Sequence, residues 1–165
     1  MANSEKSFPA DQLIVSKTDL KGNITYGNRL FIEMAGYEEY ELLGAPHNII
    51  RHTDMPKAVF KLVWETISSK KEIFGYVKNL TKSGDYYWVL ANITPSIDNN
   101  GNIIGYFSVR RVPSKNAVLQ IEQIYAKMCT AEKNGGVNAG FKVLVDILNG
   151  ANTTYDKLMA QLIRG

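Results

Sequence analysis

Cysteine is nearly missing from this chain. Cys129 is the single one among 165 residues, so no internal disulfide can form and a reduced, cytosolic setting is expected. Histidine is scarce as well. His47 and His52, with one cysteine, do not match a structural zinc set. Charge of one sign is also lacking: 19 Lys and Arg against 16 Asp and Glu leave a net charge of +3. That is too mild to point to nucleic acid. No apolar run reaches the roughly 18 residues needed to span a bilayer, so direct membrane insertion is not expected. The start, Met1-Ala-Asn-Ser-Glu-Lys-Ser-Phe-Pro9, has no apolar stretch of the secretory kind. Neither a G-x-G-x-x-G run nor a Walker motif occurs, which argues against a dinucleotide-binding sheet and an NTPase. No convincing pairing of base and nucleophile stands out, so an enzyme is not expected.

What is present fits an ordinary globular protein, with 45% hydrophobic and 21% charged residues. Leu13 to Ser16 and Ile24 to Tyr26 flank Asp19-Leu-Lys-Gly-Asn23, a hairpin pattern. Asn28 can cap a short helix over Arg29 to Ala35 that stops at Gly36, and Glu38 to Leu43 forms another. Ala45 to Met55 has no period and reads as mostly irregular. Pro56 to Ser69 is helical, with Val59, Phe60, Val63, Trp64 and Ile67 on one face and Asp54 placed to cap it. Phe74 to Leu80, Tyr86 to Ser96 and Ile103 to Val112 then form an antiparallel meander, with turns at Lys82-Ser-Gly-Asp85 and Asp98 to Asn102. Pro113 ends the last strand. Val118 to Ala131, Phe141 to Leu148 and Tyr155 to Ile163 read as helices, punctuated at Asn134-Gly-Gly136 and Asn149-Gly150. The class is α+β, with helices grouped between strands.

Two hairpin strands, short helices and a three-strand meander make the layout of a PAS domain. The run Gly44-Ala-Pro-His-Asn-Ile-Ile-Arg-His-Thr-Asp-Met-Pro-Lys-Ala58 closely resembles the flavin-binding segment of Aer-type PAS domains, the aerotaxis and energy-taxis sensors. Val77-Lys-Asn79, Lys82 to Val89, Ala91-Asn92 and Gly105-Tyr-Phe-Ser-Val-Arg110 resemble the same family's meander. Thr53 stands where that family commonly has proline, and Phe74 where a tryptophan often precedes the first meander strand.

The resemblance implies a PAS fold: a five-stranded antiparallel sheet with short helices on one side, plus a C-terminal helical extension. It implies an N-terminal extension over 1–11, a PAS sensor domain over 12–113 and a helical signalling segment over 114–165. It implies a non-covalently held FAD that senses redox state, with Arg51, His52, Asp54, Asn28, Trp64, Asn79 and Asn92 as cofactor-binding residues and no catalytic or metal site. The partner implied is a membrane-bound methyl-accepting chemotaxis transducer of the HAMP type, with homodimerisation as a second mode of contact. A stand-alone, Cet-type sensor in the cytoplasm, membrane-associated through that partner, is the expected arrangement. Three rivals remain open: a PAS scaffold without cofactor, a small flavoenzyme passing electrons from a reduced nicotinamide, and a haem-binding gas sensor using a single histidine. Cysteine-adduct photochemistry is not expected, because Cys129 lies far along the chain from these blocks.

Overall fold

The computed structural model describes residues 3–165. The first two residues of the expected N-terminal extension lie outside it. The chain divides into two compact units: one holds 1–52 with 66–112, the other 53–65 with 113–165.

The first unit is built on strands β1 (Ile14–Thr18), β2 (Ile24–Gly27), β3 (Ile73–Leu80), β4 (Tyr86–Ile97) and β5 (Ile103–Arg111). They form one antiparallel sheet in the order β2-β1-β5-β4-β3. The expected fold class is what the structure has. Helices α1 (Arg29–Ala35) and α2 (Glu39–Leu42) and a 3₁₀ turn (His47–Ile50) lie between β2 and β3 in sequence. The 3₁₀ turn is the one regular piece in the stretch expected to be irregular. Its four residues are too few to leave a period in the sequence.

Two of the three hairpin turns, 19–23 and 98–102, share one chemistry. Asp19 accepts from the backbone of Lys21 and Asn23, and Asp98 accepts from Asn100 and Asn102. Each Asp thereby closes its own loop, as Asx turns do.

Register fixes which side chains meet. Antiparallel partners share a face, and successive residues alternate. Ile14 pairs with Arg110, Ser16 with Ser108, Ala91 with Arg110 and Asn79 with Tyr87. All of these belong to one face. There Ile14, Tyr87, Val89 and Ala91 pack with Phe31, Met34 and Ala35 of α1, Leu42 of α2 and Ile50. The opposite face is apolar too, with Tyr76, Trp88 and Leu90 buried. The sheet therefore lacks the one-wet-face pattern that makes strand phase easy to read.

The second unit combines the first part of α3 (Lys57–Ser68) with α4 (Lys115–Gly150) and α5 (Tyr155–Arg164). Ala117, Ile121, Tyr125 and Met128 recur on one buried face of α4. The helix is interrupted at Gly136, where φ 71 and ψ −166 leave helical space. Only glycine adopts that region at little cost. The expected break at Asn134-Gly-Gly136 is therefore real.

Within this unit Glu132 holds the start of α3. Its carboxylate accepts from Lys57 N at 2.8 Å and Ala58 N at 3.0 Å, across 75 and 74 residues of chain. A carboxylate at a helix N-terminus satisfies otherwise orphaned amides and complements the helix dipole. A methyl group at Gly140 would overlap the Glu132 side chain, so that glycine leaves the room the carboxylate needs. Glu132→Ala is expected to destabilise this unit by about 1–2 kcal/mol. Amide hydrogen exchange at Lys57 and Ala58 should rise. Unchanged exchange at those two amides would show that the capping bonds contribute nothing.

Candidate binding site on the inner sheet face

Five of the seven expected site residues, Asn28, Arg51, His52, Asn79 and Asn92, fall in the first unit, and Asp54 and Trp64 in the second. Asn79 is buried on the inner face of β3, opposite Tyr87. Arg51 bridges to Asn79 in antiparallel fashion, and His52 N donates to Lys78 O at 3.3 Å. The Arg51-His52 pair thus adds a short strand-like rung to β3, the end strand of the sheet. Covering an open edge in this way also protects it from pairing with other chains. The His52 ring meets Tyr86 edge-on, with centroids 6.1 Å apart.

Asn28 has a different occupation. Its Oδ1 accepts from Phe31 N at 3.0 Å and Val15 N at 3.1 Å, and its Nδ2 donates to Leu13 O at 2.9 Å. It is the N-cap of α1 and ties that helix to β1, a structural use of both ends of the amide. Asn92 lies on the face opposite Asn79, because it pairs with Phe74 and Val109. Its Nδ2 donates to Glu72 Oε2 at 3.2 Å. The register therefore separates the two strand asparagines.

In the second unit, Asp54 is exposed, and its carbonyl accepts from Cys129 Sγ at 3.3 Å. Burial, then the neighbouring Glu132 and Asp54, push the Cys129 thiol up, away from the reactive thiolate. Trp64 is 37% exposed.

The inner face also carries a polar cluster that the resemblance did not assign. Arg110 projects inward from β5 and is 3% exposed. Its Nη2 donates to Ser16 Oγ at 2.6 Å, and its Nη1 lies 3.2 Å from His47 Nε2. Ser16 Oγ is 3.0 Å from the same His47 nitrogen. A guanidinium only donates. His47 Nε2 must therefore be the unprotonated nitrogen, and the imidazole is neutral with its proton on Nδ1. Phe31 lies beneath both groups, its centroid 5.2 Å from the Arg110 guanidinium carbon and 5.8 Å from the His47 ring.

Electrostatics agree with this geometry. Burial first, then Arg110 and Arg51, push the His47 imidazole down to about 3. Burial lowers Arg110 to about 10, still charged at neutral pH. Burial raises the Tyr87 phenol to about 12, so it remains a donor. Burial also lowers Arg51. Two atoms in the cluster, Arg110 Nε and Tyr87 Oη, are buried without a hydrogen bond. Buried polar atoms in native proteins are rarely left so. Asn79, the cross-strand partner of Tyr87, is the polar neighbour of that hydroxyl and holds the rise back.

A pH prediction follows from His47. In the unfolded chain it takes up a proton below its ordinary 6.5, whereas in the fold it does so only near 3. The unfolded state therefore binds more protons across that window, and stability falls as pH drops through it. The slope approaches about 1.4 kcal/mol per pH unit. His47→Asn should flatten the wild-type slope between pH 6.5 and roughly 5, above the carboxylate range. Parallel melting curves for the two proteins in that window would count against a neutral, enclosed His47.

What this arrangement can do is bind an electron-rich edge. Tyr87 O–H and the Arg110 N–H groups donate, Asn79 both donates and accepts, and Arg51 adds a second positive charge. Among the described residues there is no group of three or more His, Cys, Asp and Glu that could hold a metal ion. Among them, too, no helix is long and apolar enough to cross a membrane.

Comparison with known proteins places the architecture. The aerotaxis receptor of Escherichia coli (strain K12) is 38% identical over 133 residues, covering 81% of this chain and 26% of that protein. A nitrogen fixation regulatory protein of Klebsiella pneumoniae is 27% identical over 106 residues, covering 64% of this chain and 21% of its own. The chain thus spans about a quarter or less of the length of these relatives. A solved light-oxygen-voltage domain, studied with a flavin analogue, superposes with a TM-score of 0.61 at 21% identity, covering 68% of this chain and 87% of that one. The family model of the PAS fold matches residues 24–110, from the second strand to the inward-facing Arg110. That match takes in more than half of the sequence, and the chain belongs to the PAS-fold family.

Proposed function

We propose that this chain is a redox-sensing PAS module that holds a flavin non-covalently on the inner face of its sheet and reports the flavin's state to a signalling partner. The observation that carries the proposal is the cluster of buried Ser16, Asn79, Tyr87 and Arg110 with the partly exposed His47, carboxylate-free among the described residues, with Arg110 Nε and Tyr87 Oη left without hydrogen bonds. A flavin's pyrimidine edge offers carbonyl and ring-nitrogen acceptors beside an N–H donor. Those needs match the donors of Tyr87 and Arg110 and the two-way amide of Asn79. FAD is favoured within the flavins by the likeness of Arg51-His52-Thr53-Asp54 to the flavin-binding segment of aerotaxis sensors, and by similarity to the E. coli aerotaxis receptor.

Bound flavin would supply reversible electron uptake, which no side chain here provides. The protein's own residues would hold and orient it. Asn79 and Tyr87 would direct hydrogen bonds from adjacent strands, and Arg51 would add charge from the rung on β3. The reporting element would be the second unit, where Glu132 of α4 caps α3. Thr53 leads from His52 into that unit, so the chain runs directly from the Arg51-His52 rung to the capped helix. The partner fitting this family likeness is a chemotaxis transducer, and the module itself is a sensor and not an enzyme. Haem ligation through His47 is disfavoured because its Nε2 lone pair already faces Ser16 and Arg110.

Acid extraction of the purified protein, followed by chromatography, tests the cofactor directly. FAD at close to one per chain is expected. Haem, or an empty extract that also fails to take up added FAD, would overturn the proposal.

A further inference from the structure

Among the described residues, Arg110 is a buried charge with no opposite. Its contacts are the Ser16 hydroxyl, the neutral His47 ring, the Phe31 face and the neighbouring Tyr87 phenol. None is a carboxylate. Burying an ion is costly unless a counter-ion or a full set of hydrogen bonds repays it, and here one donor atom, Nε, has no bond. The second nearby cation, Arg51, adds to the positive field at His47. Such a site, at low local dielectric, favours any ligand that becomes more negative.

The surroundings hold this cation rigidly. Ser16 Oγ accepts at 2.6 Å, His47 Nε2 lies 3.2 Å away, and Phe31 lies beneath the guanidinium. These groups come from β1, the 3₁₀ turn and α1, so the guanidinium that β5 presents is gripped by three other elements. A solvating water or a mobile lysine could not be fixed in this way.

We propose that Arg110 is the fixed counter-charge for the negative charge a bound flavin ring gains on reduction, with Ser16 and His47 as the positioning residues that hold its guanidinium. The inference rests on the proposal that a flavin occupies the inner face. In the balanced step, two electrons enter the ring from a reduced electron carrier (dithionite in the test). One proton comes from solvent, and the remaining negative charge stays on the ring opposite Arg110. No covalent bond to the protein forms or breaks. His47 cannot serve as counter-charge, because its Nε2 faces the Arg110 donors and has no room for a proton.

The test is a dithionite titration of the full chain reconstituted with FAD, against a reference dye, at several pH values. Wild type is expected to take up about one proton per two electrons. Arg110→Met is expected to bind reduced flavin roughly 10- to 150-fold more weakly relative to oxidised flavin, and to take up about two protons per two electrons. Arg110→Lys should recover part of both effects. Ser16→Ala and His47→Gln, which keep the charge but loosen it, should shift the ratio in the same direction by a smaller factor. This pair keeps the inference testable if Arg110→Met fails to fold. Flavin-loaded Arg110→Met with wild-type ratio and proton count would overturn the inference and leave the flavin proposal standing. Unshifted Ser16→Ala and His47→Gln would likewise overturn the positioning roles. A wild type that takes up no FAD at all would remove the flavin proposal itself, and with it this inference.

Discussion

Arg51→Ala protein is expected to leave purification colourless while keeping its fold. The backbone bridge from residue 51 to Asn79 does not need the arginine side chain, so the rung on β3 should persist. What is lost is a half-buried cation beside the inner-face cluster, one close enough to depress His47. Charge-assisted hydrogen bonds contribute about 1.5–3 kcal/mol each, so FAD affinity should fall roughly 10- to 150-fold. Circular dichroism should match wild type. His52→Ala is the companion variant, since the His52 ring packs on Tyr86 and its amide pairs with Lys78. If both variants retain FAD at wild-type stoichiometry, the rung is not part of the binding site.

Phe31→Ala is expected to cost about 3–5 kcal/mol, the usual range for deleting a buried aromatic ring. Total stability of a domain is only about 5–15 kcal/mol, so this variant should be close to unfolding. Phe31 is 0% exposed and belongs to the inner-face core. Its ring also lies beneath Arg110 and His47, so its loss removes support from the charged cluster as well as apolar contact. Phe31→Leu should restore most of the stability and little of the cation–π contact. Urea denaturation measures both. A Phe31→Ala loss below about 1 kcal/mol would show that this core does not carry the unit.

Much of the fold was legible because punctuation and period agreed. Asn28 and Gly36 bracket α1, the two Asp-x-x-Gly-Asn turns set the hairpins, and Gly136 interrupts α4. The site was legible only in part, for reasons that can be named. In β5, Phe107 and Val109 alternate with Ser108 and Arg110, and pattern alone would turn the apolar pair inward. The structure turns Tyr106, Ser108 and Arg110 inward instead. The pattern misleads because the other face of the sheet buries Tyr76, Trp88 and Leu90, so apolar residues are needed on both sides. No sequence spacing links Ser16, His47 and Arg110; only the fold brings them together.

The separation of Asn92 from Asn79 was within reach of the sequence, since Asn92 is an odd number of residues from Tyr87, the strand partner of Asn79. The Glu132 cap on α3 was not. Its partner amides are 75 and 74 residues away, and no local pattern announces a cap supplied from another helix. Asn28 shows the reverse case. The sequence offered it both a capping and a pocket role, and the structure uses its amide to cap α1 and tie it to β1.

The most direct test of the account is the visible absorbance spectrum of the freshly purified wild-type chain, before and after dithionite. Flavin bands in the blue that bleach on reduction and return in air are the expected result. A featureless spectrum that stays featureless after incubation with excess FAD would contradict it.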